Sequence, residues 1–201
     1  MDEPAPATPR ARAIVDAARE ILEVEGPDGL TMRRLGEAVG IRAPSLYKHF
    51  PDKAAVEIAL IEDGFTEMAA RFEMALEVEG SLVTLAGAYR AFAQAHPHLY
   101  RLMTAGPLPR ERLRPGVEAR AAAPLVQVTG DPNLARAAWA FAHGMMILEL
   151  DGRFPPEADL DAAWRAGLAA FAEGDPRPPA ASSPVSTTRS APILTIHRGE
   201  R

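Results

Sequence analysis

The apolar positions of this chain recur at intervals of three and four residues, the spacing that lines one face of an α-helix. Ile14, Ala17, Ala18, Ile21 and Leu22 make the first such stripe, which stops at Gly26-Pro27-Asp28-Gly29, a turn by composition. Thr31 is a good N-cap for a short second helix with Met32, Leu35 and Val39 on one side, and Gly40 supplies a left-handed stop. A third helix of about two turns follows. It carries Pro44 in its first turn and points Leu46 and Phe50 to one side, and Pro51-Asp52 ends it and caps the next. From Lys53 to residue 77 no proline intervenes, and Val56, Leu60, Ile61, Phe65, Met68, Phe72 and Leu76 predict one long amphipathic helix closed by Gly80. Further helices are predicted over 82–95, 97–104, 110–127, 133–150 and 160–173. They are separated by His96-Pro97, Gly106-Pro107, Gly130-Asp131-Pro132 and Phe154-Pro155-Pro156.

Composition agrees with an all-α fold, because Ala and Leu dominate over Val and Ile and only 6% of residues are aromatic. A length of 201 residues suits one domain with a real core or a small domain fused to a larger one, and length alone does not choose. The formal net charge of -5 excludes a general polyanion binder, so any nucleic-acid contact must come from a local basic patch. The absence of cysteine excludes disulfides, thiolate zinc sites and a cysteine nucleophile. The opening MDEPAPATPRAR lacks the apolar run of a signal peptide, and no later stretch has the apolar length of a membrane span. A cytoplasmic protein without a membrane partner is expected. Residues 1–9 are expected to be flexible. Residues 175–201, rich in Pro, Ser, Thr and Arg, are expected to be mostly disordered, with Ile193-Leu194-Thr195-Ile196 as their one apolar patch.

The charge that the whole lacks is concentrated in one place. Between Thr31 and Lys53 the cations are Arg33, Arg34, Arg42, Lys48 and Lys53 and the anions Glu37 and Asp52, so this segment carries 5 − 2 = +3. Two short helices joined by a glycine-containing turn, after a longer supporting helix, form a helix-turn-helix pattern, whose second helix enters the DNA major groove. Ser45, Tyr47, Lys48 and His49 project from that helix away from Leu46 and Phe50, offering donors and a flat ring to phosphates and base edges.

The stretch LTMRRLGEAVGIRAPSLYKHFPDKAAV, residues 30–56, resembles the DNA-binding domain of TetR-family repressors: a Thr opening helix two, a Gly-hydrophobic turn, a Leu-Tyr-x-His-Phe core in helix three and a Lys opening helix four. The resemblance implies backbone contacts for Thr31 and Arg33, base and phosphate contacts for Pro44, Ser45, Tyr47 and His49, and a phosphate contact for Lys53. Arg42 stands where many members have a small hydroxyl cap, which weakens capping and adds a phosphate contact; Gly36 replaces the commoner alanine. The implied organisation is a DNA-binding domain over 10–53 and a helical effector-binding and dimerisation domain over 54–174.

In the second half, WAFAHGMMILELDGRF (139–154) and FAQAHPHLYRLM (92–103) are similar to the WHG-type C-terminal domain of one branch of TetR-like regulators, which implies a homodimer. Trp139, His143, Met146 and Leu150 fall on one helical stripe, usually a core stripe, and Gly144 suggests the close approach of another helix. Phe92, Leu99, Tyr100, Met103, Trp139 and Met146 can line an apolar cavity with His96 and His143 as polar anchors; each can equally fill the core. Such a set favours a largely apolar small-molecule effector. Leu134, Ala138, Phe141, Leu168 and Phe171 give the last two helices apolar surface for a dimer. The acidic residues Glu149, Asp151, Glu157, Asp159 and Asp161 straddle a loop and a helix start, where acids commonly cap. No catalytic motif, metal-ligand spacing or cofactor fingerprint is present, so no enzyme, metal or cofactor is expected. The function expected is a ligand-responsive repressor, homodimeric on a palindromic double-stranded DNA operator. The other possibility is a small-molecule binding or sequestering protein with an idle helix-turn-helix.

Overall fold

Every regular element of the computed structural model, within its described residues 8–172, is helical. The chain runs through α1 (Pro9–Gly29), α2 (Met32–Ala38), α3 (Ala43–Tyr47), α4 (Lys53–Val78), α5 (Leu82–Ala95), α6 (Pro97–Thr104), a 3-10 turn (Arg110–Arg112), α7 (Val117–Thr129), α8 (Pro132–Leu150) and α9 (Leu160–Ala172). The all-α reading holds for these residues, while the expectations for residues 1–7 and for the tail at 175–201 fall outside them.

Local chemistry accounts for most boundaries. Thr31, Asp52, Ser81 and Asp131 each accept a backbone N–H at the start of α2, α4, α5 and α8. The α2 exit is a full Schellman motif: Gly40, at φ +65°, donates to the Glu37 carbonyl, and Ile41 donates to the Gly36 carbonyl. A proline occupies the first turn of α3, α6 and α8, where its missing N–H costs nothing.

Four boundaries differ from expectation. Thr8 caps α1 and Pro9 begins it, so the first helix starts inside the segment expected to be flexible. Gly26 (φ +74°) breaks α1, but Pro27 to Gly29 resume a helical turn instead of forming an open one. Helix α3 has five residues, not two full turns, because Arg42 places no side-chain cap on it and Lys48 and His49 already belong to the following turn. The helix expected over 110–127 starts only at Val117, since Arg114-Pro115-Gly116 sits between it and the 3-10 turn and Gly116 adopts φ +84°.

Helix α4 is the spine. Its Val56 and Leu60 join Ile14, Ala18, Leu22, Leu35 and Leu46 of the first three helices, while its Met68 and Phe72 join Leu85, Phe92, Leu99 and Met146 of the others. At Gly64 an added Cβ would lie 2.3 Å from Met103 Sδ, so the missing side chain is the socket into which α6 is keyed. Gly144, by contrast, has no atom of the described residues within 4 Å of such a Cβ, so the close helix approach expected there is not made within the described protomer. The close approach falls at Gly167, where a Cβ would lie 2.0 Å from Phe141 Cζ.

The α8–α9 contact also removes residues from the expected dimer surface: Ala138 and Leu168 are buried within the protomer, and the Phe141 ring packs edge-on against Trp164 at 5.9 Å. Of the acidic run, Asp159 caps α9 by accepting from Ala162 N–H. Glu149 instead accepts from Arg90, Gln94 and Trp164, Asp161 pairs with Arg90, and Asp151 pairs with Arg101.

Gly167→Ala decides between two opposed effects. Alanine gains roughly 1 kcal/mol of helix propensity, whereas overpacking against a rigid ring costs about 1–3 kcal/mol. Because Phe141 is held by both Trp164 and Phe171, we expect net destabilisation in urea unfolding, largely relieved when Phe141→Leu is added.

Candidate nucleic-acid interface

Helix α3 is too short to persist alone, and one side chain seats it. Leu46 is fully buried beside Leu35 and Val56, with Phe50 packed at the edge of the same core. Anchoring that side turns the opposite one to solvent: Pro44, Ser45, Tyr47, Lys48 and His49 are all exposed, Tyr47 at 49%. Arg42 and Arg33 extend the exposed face along the α2–α3 crevice, which Met32, Gly36, Ile41 and Tyr47 also line. Gly36 is close-packed, a Cβ there lying 3.2 Å from the Ile41 carbonyl oxygen, so glycine suits the tight turn.

The electrostatics are sharper than the sequence count of +3. Arg34 is withdrawn to α1, its guanidinium 2.6 Å from Glu25, and that pairing raises its pKa. Lys53 Nζ donates to the Pro27 carbonyl oxygen at 2.9 Å, with Glu57 at 3.5 Å, so it bridges the α1 terminus to α4. Arg33 is 90% exposed and only loosely paired, 4.0 Å from Glu37. Thr31 Oγ1 accepts from Arg34 N–H at 3.1 Å, which leaves its O–H available as a donor. Among the described residues, Arg42 and Lys48 make no ion pair and Arg33 only a loose one, with Lys53 prepositioned at the border of the face.

The eight residues considered for an effector differ in burial. Phe92, Leu99, Tyr100, Met103 and Met146 are packed in the core. His96 lies at the α5–α6 junction, 3.5 Å from Glu67. Burial alone would raise the Glu67 pKa, but Arg71, Arg19 and His96 outweigh it and hold the carboxyl below its usual range. Trp139 is half-exposed, so the stripe of Trp139, His143, Met146 and Leu150 is not uniformly core.

The structure instead assembles a polar relay inside apolar surroundings. Tyr89 and Tyr100 share a hydrogen bond between hydroxyls at 2.8 Å, Tyr100 OH lies 2.7 Å from His143 Nδ1, and the Trp139 indole stacks on the His143 ring at 5.9 Å. Burial pushes the Tyr89 phenol up to about 12 and Tyr100 further in the same direction, and it lowers His143. All three are thus neutral near pH 7. Tyr89 was missed in the sequence, although its spacing of three from Phe92 puts both on the inner face of α5. Among the described residues no group of three His, Asp or Glu side chains could hold a metal ion, and no helix is long and apolar enough to cross a membrane.

An exposed polar face on a short second helix, seated by one leucine and carried by a larger helical domain, defines a helix-turn-helix regulator. Residues 14–60 match the family described as bacterial regulatory proteins, tetR family, and residues 82–171 match the tetracyclin repressor-like C-terminal domain. The chain is 32% identical over 172 residues, 79% of its length and 78% of the relative's, to the uncharacterized HTH-type transcriptional regulator Rv0681 of Mycobacterium tuberculosis. A protein of unknown function from Rhodococcus sp. RHA1 superposes with TM-score 0.70 at 28% identity, covering 85% of this chain and 97% of that one. A TetR variant of Acinetobacter baumannii AYE, solved in complex with minocycline, shares the fold at TM-score 0.58 and 24% identity, covering 80% of this chain and 92% of that one. The chain belongs to the TetR family of transcriptional regulators, with a DNA-binding helix-turn-helix at its N-terminal end.

The relay makes stability depend on pH. A histidine whose folded pKa is depressed contributes stability that is full above its unfolded value, about 6.5, and is lost as pH falls below it, because the unfolded chain then binds the proton more readily. Urea midpoints should therefore fall between pH 7 and 5.5. His143→Asn, which keeps a hydrogen-bonding atom near Nδ1 and cannot titrate, should show a shallower fall.

Proposed function

We propose that this regulator is a homodimeric repressor, with 10–53 reading a palindromic operator and 54–174 binding an effector and pairing the protomers. One observation carries the DNA assignment: seating Leu46 in the core commits Ser45, Tyr47, Lys48 and His49, with Arg33 and Arg42, to one exposed face. In this reading Tyr47, Ser45 and His49 meet base edges and phosphates, Thr31, Arg33, Arg42 and Lys48 meet phosphates, and Pro44 starts the recognition helix. Lys53 contacts phosphate from the border of that face. Dimerisation uses the outer faces of α8 and α9. Ala137, Ala140, Gly144 and Leu148 leave a shallow apolar surface on α8, and the open space beside Gly144 suits a second copy.

The effector is an apolar or aromatic small molecule that enters beside Trp139 and meets the Tyr89–Tyr100–His143 relay, with Phe92, Leu99, Met103 and Met146 behind it. His96, at the α5–α6 junction beside Glu67, takes no part in this contact. The support is the buried relay itself, since hydroxyls in an apolar interior carry a desolvation cost that a recognition role accounts for. Effector binding shifts the population toward a spacing of reading heads that no longer matches adjacent major grooves.

The test is a salt-dependent gel shift on a duplex selected from random DNA. Tyr47→Ala should lose affinity and alter site preference. Lys53→Ala should weaken all sequences alike and reduce the salt slope by about one unit. A folded Tyr47→Ala protein that binds like wild type would remove the recognition-helix assignment and favour the sequestering alternative. Gly144→Arg should give a folded monomer at micromolar concentration by analytical ultracentrifugation. Active effectors should raise thermal stability, perturb Trp139 fluorescence and lower DNA affinity together.

A further inference from the structure

The loop between α6 and α7 carries Arg110, Arg112 and Arg114 within five residues, against Glu111 alone. Two of these cations are consumed in holding the loop. Arg110 grips Glu118 through both Nε and Nη2, at 2.8 and 2.7 Å. Arg114 binds Glu62 of α4 through its Nε at 2.7 Å, and its backbone N–H donates to the same carboxylate. Leu113 between them is buried in the core, so the loop is pinned by one apolar anchor and two ion pairs.

Arg112 is treated differently. Its side chain is half-exposed, and its nearest acid is Asp52, 4.0 Å away and more exposed still. Asp52 Oδ1 already accepts from Ala55 N–H at 2.7 Å as the α4 cap. An exposed pair at that separation is worth little. What the contact does establish is place. Asp52 adjoins Lys53 and follows His49 by three residues, so a cation from the C-terminal domain stands at the rim of the DNA-reading face.

We infer that Arg112 is a DNA-phosphate contact supplied by the effector domain, outside the helix-turn-helix. The inference rests on the DNA-binding reading above. A phosphate oxygen offers the guanidinium a charge-assisted hydrogen bond of about 2.8 Å, shorter and stronger than the distant pair with Asp52. Because the loop directly follows α6, keyed into α4 through Met103, and is bolted to Glu62, the position of Arg112 is set by the packing of the effector domain. Operator affinity therefore depends on that packing directly as well as through the placement of α3.

The test uses full-length protein and a duplex selected from random DNA by the wild type, titrated across salt. Arg112→Ala should reduce the slope of log affinity against log salt by about one unit, so that over a fourfold rise in salt the wild type loses roughly fourfold more affinity than the variant. Arg112→Lys should restore most of the slope, and Arg110→Ala, whose partner is Glu118, should leave it unchanged. Urea unfolding of Arg112→Ala should match wild type. An unchanged salt slope for Arg112→Ala, in an assay where Tyr47→Ala loses binding, overturns the inference and leaves the reading head standing. If Tyr47→Ala also binds normally, the DNA-binding reading fails, and the inference with it.

Discussion

A five-residue helix cannot hold its shape in water, because the cost of ordering its first turn is not recovered over so few hydrogen bonds. Everything this protein presents on α3 therefore depends on burying Leu46 between α2 and α4. The burial fixes the rotation of the helix, and the rotation decides that Tyr47 and His49 meet solvent while Phe50 packs partly against the core. The Schellman turn at Gly40-Ile41 sets the angle between α2 and α3, and the Asp52 cap starts α4 at once, so no loose segment separates the reading surface from its support.

Helix α4 then carries that surface into the larger domain. Its Val56, Leu60, Met68 and Phe72 all belong to one continuous core with residues of α1 to α3, α5, α6 and α8, so a movement at one end of α4 is felt at the other. Ion pairs reinforce the joint: Arg12 reaches Asp63, and Arg19 and Arg71 both hold Glu67. A second link bypasses α4. The Glu23 carboxylate of α1 accepts from the backbone N–H groups of His98 and Leu99, satisfying the first turn of α6 where His96 offers no side-chain cap. Helix α6 is thus tied to the DNA-reading domain through Glu23, to α4 through Met103 in the Gly64 socket, and to the interior relay through Tyr100. One eight-residue helix therefore touches all three.

Much of this was legible in the sequence because it is written in short-range chemistry. The caps at Thr31 and Asp52, the stop at Gly40, the prolines opening α3, α6 and α8, and the apolar period of α4 are read within a few residues of where they act. The α3 face was legible for the same reason, since i to i+4 spacing separates Leu46 and Phe50 from the polar residues between them. The errors share a cause too. Arg34 adds to the local charge of +3 in sequence, but Glu25, nine residues away, claims it. Helix α7 begins at Val117 rather than Arg110 because the Pro115-Gly116 pair resets the chain before it.

What the sequence by itself determined is the class of fold, the order of the helices and the polar face of the reading helix, all consequences of periodicity and of caps acting over one or two turns. What only the tertiary structure decided is which groups meet across long separations. Tyr89, Tyr100 and His143 form one relay from three helices, Gly64 and Gly167 rather than Gly144 take the close approaches, and Arg112 stands beside Asp52. These pairings follow from how helices of given shape settle against one another. Packing is a property of the whole assembled core, so no local stretch of residues contains it.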